Sequence, residues 1–118
     1  MNPLAAYTGI AYDFGAYNCW HHVMRVRADN GMDTPPFDCT SPKLACATFE
    51  AAHGDSKGLQ KISEPEPFCA VLVLRAGRWH SGVYLDGMVS HCDRNARQVR
   101  MDSLNSLQQV CERVEFWR

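Results

Sequence analysis

The sequence predicts an α+β domain, and three observations carry that reading. Helix signals gather in the first half of the chain. A short apolar run suited to a buried strand opens the second half, and an Asp86-Gly87 pair between two strand-like segments marks a tight hairpin. Helices first and an antiparallel sheet after them is the order of an α+β fold. At 118 residues the chain is sized for a single domain over 1–118, with N-terminal helices packed on an antiparallel sheet.

Taken in order, residues 1–18 form an irregular, aromatic-rich lead-in. Asn18 is a good N-cap, and Trp20, Val23, Met24 and Arg27 follow at helical spacing, which predicts a helix from Cys19 to about Asp29, stopped by Asn30-Gly31. Gly31 to Thr40, with Pro35-Pro36, reads as a loop. Ser41-Pro42 offers a cap and a helix-initiating proline for a second helix, Lys43 to His53, ended by Gly54. Asp55 to Pro67 is polar and reads as a long surface loop. Strands are predicted at Cys69–Leu74, Trp79–Leu85, Met88–Cys92, Gln98–Met101 and Arg113–Trp117, with a short helix over Ser103–Val110.

Composition narrows the function classes. The chain is 46% hydrophobic and 21% charged with a net charge of −1, so neither nucleic acid nor an anionic membrane surface is indicated as a partner. Arg94, Arg97, Arg100, Arg113 and Arg118 are interspersed with acidic residues, a solvated face rather than a basic patch. No apolar run approaches the roughly 18–20 residues that membrane insertion needs. Met1 to Tyr7 lacks a basic start and a long apolar stretch, so no signal peptide is expected and the chain should begin in the cytoplasm.

Six cysteines occur, none in a CxxC spacing. A disulfide framework goes with secretion, and no zinc pattern matches, so no metal and no cofactor are expected. Cys39, Cys46, Cys69, Cys92 and Cys111 read as small buried hydrophobes, with metal binding or pairing left open.

Cys19 stands apart because it opens a helix. Unpaired N–H groups and the positive end of the helix dipole favour thiolate over thiol, and the same N–H groups can stabilise an oxyanion. The plainer alternative is a small hydrophobe buried at a helix start. A nucleophilic thiol needs a base, and an imidazole suits because it titrates near neutrality. His21 and His22 follow Cys19 too closely to swing back onto it and read as surface or half-buried packing, and His53 reads as a helix-end residue. His80 and His91, on predicted strands, remain, and His80 is the candidate base. If Asp86-Gly87 is a two-residue turn, Leu85 pairs with Met88 and His91 falls opposite Gly82. His80, Gly82, Tyr84, Val89 and His91 then share one face, with His80 and His91 diagonal neighbours and Gly82 leaving room between them. An exposed strand histidine without a role is the alternative for His91.

The segment from Tyr12 to Val23, Tyr12-Asp13-Phe14-Gly15-Ala16-Tyr17-Asn18-Cys19-Trp20-His21-His22-Val23, resembles the nucleophile motif of the NlpC/P60 cysteine peptidases. Trp79-His80-Ser81-Gly82-Val83-Tyr84-Leu85-Asp86-Gly87 resembles their second motif, and His91 matches their third polar residue. Cys19-Trp20 is closest to the versions in bacteriophage tail proteins. Three departures are visible: a shorter approach to Cys19, Trp20-His21 after the cysteine, and Ser81 where valine is usual.

The resemblance implies a papain-like fold and hydrolysis of amide bonds in peptidoglycan peptides. Cys19 is the implied nucleophile, His80 the proton carrier and His91 the residue that orients His80. The Cys19 N–H and the Tyr12 hydroxyl are the implied oxyanion donors, core aromatic packing being the alternative for Tyr12. It also implies a phage or prophage tail component, in contact with neighbouring tail proteins and assisting cell-wall penetration. The competing readings are a structural tail-tip or hub subunit with the same fold and little activity, and a metal-binding module using Cys and His.

Overall fold

Two tight turns shape the second half of the chain. Asp86 (φ 50°) and Gly87 (φ 80°) both take the left-handed conformation that a two-residue hairpin turn demands, and so do Ala76 (φ 51°) and Gly77 (φ 73°). The first turn is the one the sequence predicts. The second was not anticipated, because alanine at a left-handed position is unfavourable and carries no turn signature. A computed structural model describes residues 2–34 and 59–118. The predicted helix Lys43–His53, most of the Gly31–Thr40 loop, and Cys39, Cys46 and His53 lie outside the described residues.

The architecture is α+β: two helices and one six-stranded antiparallel sheet among the described residues. In chain order they are α1 (Cys19–Asp29), β1 (Lys61–Ile62), β2 (Ala70–Arg75), β3 (Arg78–Leu85), β4 (Met88–Asp93), β5 (Gln98–Ser103), α2 (Leu104–Val110) and β6 (Arg113–Trp117). The sheet order is β1-β6-β2-β3-β4-β5. β1 corrects the expectation of a continuous loop from Asp55 to Pro67. It pairs Lys61 with Trp117 and Ile62 with Phe116, so its strand character comes from the distant β6 and not from any local pattern. β5 runs to Ser103, two residues past the expected end, and Ser103 also caps α2 by accepting from the Ser106 N–H at 3.1 Å.

α1 packs on one face of the sheet. Trp20, Val23 and Val26 meet Ala70, Leu72, Val83, Leu85 and Trp117 in a buried cluster that also takes in Leu4. The opposite face is apolar too: Val71, Val73, Val89 and Phe116 form a second cluster, against which Leu104 and Leu107 of α2 pack. Arg27, buried at the last turn of α1, donates to the Phe68 carbonyl at 2.7 Å and to the Thr34 hydroxyl at 2.9 Å, tying the helix end to the approach to β2.

The lead-in is more ordered than its composition suggests. Pro3–Tyr7 forms a 3₁₀ turn, capped by the Asn2 side chain. Gly9, Ile10 and Tyr12 then bond to Val99 and Arg97, so this segment lies along the outer edge of β5. Reciprocal bonds between Asp13 and Tyr17 fold the chain back into Asn18. An otherwise open sheet edge is thereby covered, and Tyr12 is delivered to the start of α1. No helix among the described residues is long and apolar enough to cross a membrane.

Candidate active site

The site begins with the cap of α1. The Asn18 side chain accepts from the N–H groups of Trp20 and His21, both at 3.0 Å, while His21 Nδ1 accepts from the Asn18 N–H at 3.1 Å. This is a capping box in which histidine plays the part usually taken by glutamate. It accounts for His21 as a structural residue. The cap takes the N–H groups of Trp20 and His21 and not that of Cys19, which is left at the open, positive end of the helix.

Cys19 is half-buried, and its thiol is held below the ordinary cysteine range. Burial works against the charged sulfur. The hydrogen bond and charge of His80 outweigh it, helped by the hydroxyl and backbone amide of Ser81. His80 shows the mirror image. Burial pushes its pKa down, but the hydrogen bond to Cys19 and the thiolate charge raise it above the ordinary histidine value. Each group thus favours the charged form of the other, the relation a thiolate–imidazolium pair requires.

Behind His80 runs a string of short hydrogen bonds. His80 Nε2 lies 2.8 Å from His91 Nδ1, the rings meeting edge to face with centroids 5.0 Å apart. His91 Nε2 lies 2.7 Å from Asp102 Oδ2, and Asp102 Oδ1 accepts from Arg100 Nη2 at 3.0 Å. A carboxylate only accepts, which fixes the protons along the string. His91 must donate from Nε2, so its Nδ1 is bare and accepts from His80 Nε2–H. The other nitrogen of His80, Nδ1, is left for Cys19. His91, only 6% exposed, is kept neutral by burial and by the charge on His80, so the positive charge stays on the ring next to the sulfur. Burial opposes ionisation of Asp102 as well, but the His91 hydrogen bond and the Arg100 charge hold its carboxyl below the usual range.

Strand register explains why these rings meet. Leu85 pairs with Met88, Tyr84 with Val89 and Val83 with Ser90, a count that brings Gly82 beside His91. A Cβ on Gly82 would stand 2.7 Å from Val89 Cγ1, 2.8 Å from the Ser90 carbonyl oxygen and 3.1 Å from His91 Cβ. Any side chain there would push His91 away from His80. Tyr12 is half-buried and its hydroxyl pKa is raised, first by burial and then by the negative charge of Cys19, so it lies within electrostatic reach of the sulfur.

The structure thus joins His80 to His91 and sets Cys19 close enough to His80 for each to shift the other's pKa, with Tyr12 nearby. It also adds Asp102, which the sequence reading missed. The predicted strand ended at Met101, one residue short, and the four-residue connection between β4 and β5 has no recognisable turn signature. Once register is known the signal is plain: Val89 pairs with Asp102 and His91 with Arg100, so Asp102 is diagonal to His91 on the same face.

His22 overturns its expectation. It is fully buried, with Nδ1 2.7 Å from the Tyr17 hydroxyl and Nε2 2.8 Å from the Ser90 hydroxyl. Of the remaining described cysteines, Cys69 and Cys92 are buried and Cys111 is half-buried. Among the described residues no group of three or more His, Cys, Asp or Glu side chains is arranged to hold a metal ion; His80, His91 and Asp102 are joined in a line rather than converging on a point. No protein-family model matches the chain, and no curated protein matches it.

Proposed function

We propose that this chain is a cysteine peptidase of the NlpC/P60 type, with a papain-like fold, that hydrolyses amide bonds in the peptides of bacterial peptidoglycan. The observation that carries the reading is the continuous string Cys19–His80–His91–Asp102 at the open N-terminus of a capped helix. Such an arrangement has a thiolate, a proton donor for a leaving amine, and N–H groups for an oxyanion at one point. The resemblance of the segments around Cys19 and His80 to that family supplies the substrate class.

In this reading the Cys19 thiolate adds to the carbonyl carbon and the carbonyl π pair moves onto oxygen. The Cys19 N–H and the Tyr12 hydroxyl donate to that oxygen. His80 passes its Nδ1 proton to the amine nitrogen as the C–N bond breaks, leaving a thioester on Cys19. Water then attacks the thioester, His80 accepts its proton, and the thiolate departs from a new carboxylic acid product. His91 and Asp102 touch neither substrate nor sulfur. They hold the His80 ring in one tautomer and support its charge. The Cys19-Trp20 pairing further supports a role on a phage or prophage tail, seated against neighbouring tail proteins.

The test is mass analysis of muropeptides after incubating the purified protein with peptidoglycan. New fragments cut within the stem peptides are expected. Cys19→Ala should lower their rate by roughly three orders of magnitude or more while the circular dichroism spectrum stays the same. Intact muropeptides after prolonged incubation with the unaltered protein would overturn the assigned substrate.

A further inference from the structure

One buried polar atom is unaccounted for. The Ser81 hydroxyl is wholly buried and has no well-formed hydrogen bond among the described residues. A buried hydroxyl in that state costs about 1–3 kcal/mol, so its persistence calls for a partner. Ser90, also wholly buried, is no such puzzle, since it is bonded to His22.

Position supplies the partner. Ser81 follows His80 on β3, and side chains alternate along a strand, so it shares a face with Val83 and Leu85. Those two pack against Trp20, Val23 and Val26 of α1. Ser81 lies further from the Asp86-Gly87 turn on that same α1-covered face, and its hydroxyl and backbone amide both bear on the Cys19 sulfur. A neutral thiol is a poor acceptor and leaves the hydroxyl unsatisfied. A thiolate is a charged acceptor and satisfies it. The penalty of the buried hydroxyl therefore falls on only one of the two protonation states of Cys19.

We propose that Ser81 is a further functional residue of this site, whose hydroxyl donates a hydrogen bond to the Cys19 thiolate and fixes the sulfur beside His80. The proposal deepens the reading given above and rests on Cys19 being its nucleophile. Valine, usual at this place in the motif that the segment resembles, could not do this. The serine is this chain's own second donor to the sulfur, independent of the imidazole.

The experiment is site-resolved alkylation of Cys19 by iodoacetamide as a function of pH, followed by peptide mass mapping. Ser81→Ala removes one oxygen and adds no volume, so folding should be retained, as an unchanged circular dichroism spectrum would show. The acid limb of its alkylation profile should move up by about one pH unit, so that the rate on that limb falls about tenfold. Ser81→Thr keeps the hydroxyl and should return the limb to its original place. An unmoved limb in Ser81→Ala, or an equal displacement in Ser81→Thr, overturns the proposal. No peptidoglycan enters the measurement. An unaltered protein that fails to cut muropeptides while Ser81→Ala still displaces the limb refutes the substrate and leaves the role of Ser81 standing.

Discussion

Ser90 and His91 are neighbours on β4, point to opposite faces of the sheet, and each anchors an imidazole to quite different effect. On the α1 side, Ser90 and Tyr17 hold His22 between two hydroxyl groups, and burial drives its pKa down to about 4. On the other side, His91 holds His80 within a string that has a thiolate at one end and a carboxylate at the other, and the His80 pKa rises. Desolvation lowers the pKa of both rings, the fully buried His22 and the half-buried His80, so it does not decide protonation alone. A charged partner reverses the outcome, and neutral partners leave the desolvation cost in control. Positive charge on the His80–His91 pair presses His22 further toward neutrality, so the two regions are coupled through the sheet. One histidine is built to carry charge and the other to fill space.

The sharpest way to break the comparison is to remove His91. His91→Ala leaves His80 free to rotate and to take either tautomer, and turnover should fall by about a hundredfold or more. His91→Asn can still accept from His80 Nε2–H and should keep a measurable fraction of the activity. Alkylation of Cys19 should persist in both, which separates loss of the string from loss of the nucleophile. Equal turnover in His91→Ala and the unaltered protein would remove His91 from the site.

His22 makes the opposite prediction, one of stability. Its folded pKa, about 4, lies below the ordinary 6.5, so between those values the unfolded chain binds a proton that the folded chain does not. Stability from this residue is complete above about pH 6.5 and is lost as pH falls toward 4. The amount is on the order of 3 kcal/mol. His22→Gln should be weaker near pH 7 but lack this part of the acid decline. Urea unfolding at pH 7 and pH 4.5 measures it. If the gap between the two proteins fails to narrow at low pH, His22 is not the neutral, buried group described.

Much of this was legible in the sequence, and the parts that were not have physical reasons. α1 was readable because a cap, a period and a stop all act within a dozen residues. The β3–β4 hairpin was readable because Asp86-Gly87 fixes its register, and with it the facing of His80, Gly82 and His91. Asp102 and β1 were not, since each owes its place to pairing between segments that no local signal links. His22 was misread because a histidine beside a polar neighbour on a helix looks solvated, and only the positions of Tyr17 and Ser90 show that its polar atoms are satisfied indoors. The α1-facing role of Ser81 escaped for a similar reason: the sulfur it meets comes from another element.

The smallest effects should come at the open end of the string, where Asp102 and Arg100 meet solvent. Asp102 has a quarter of its side chain exposed and Arg100 about half, with relative exposures of 26% and 48%. Asp102 is bonded to His91 through one oxygen and to Arg100 through the other. Asp102→Asn can still offer an oxygen to His91 Nε2–H, so the tautomer survives, but the negative charge behind the imidazolium is lost. Turnover should fall by about tenfold, the equivalent of about one pKa unit in support for His80. Arg100→Ala removes an exposed ion pair worth less than about 0.5 kcal/mol, because water and salt screen it and the long side chain regains its freedom. Its turnover should stay within about twofold of the unaltered protein, and adding salt should bring the two closer together. Should Arg100→Ala cost as much as Asp102→Asn, the string would extend beyond the carboxylate, and the guanidinium would belong with the charged end of the site rather than with the solvated arginines along β5 and β6.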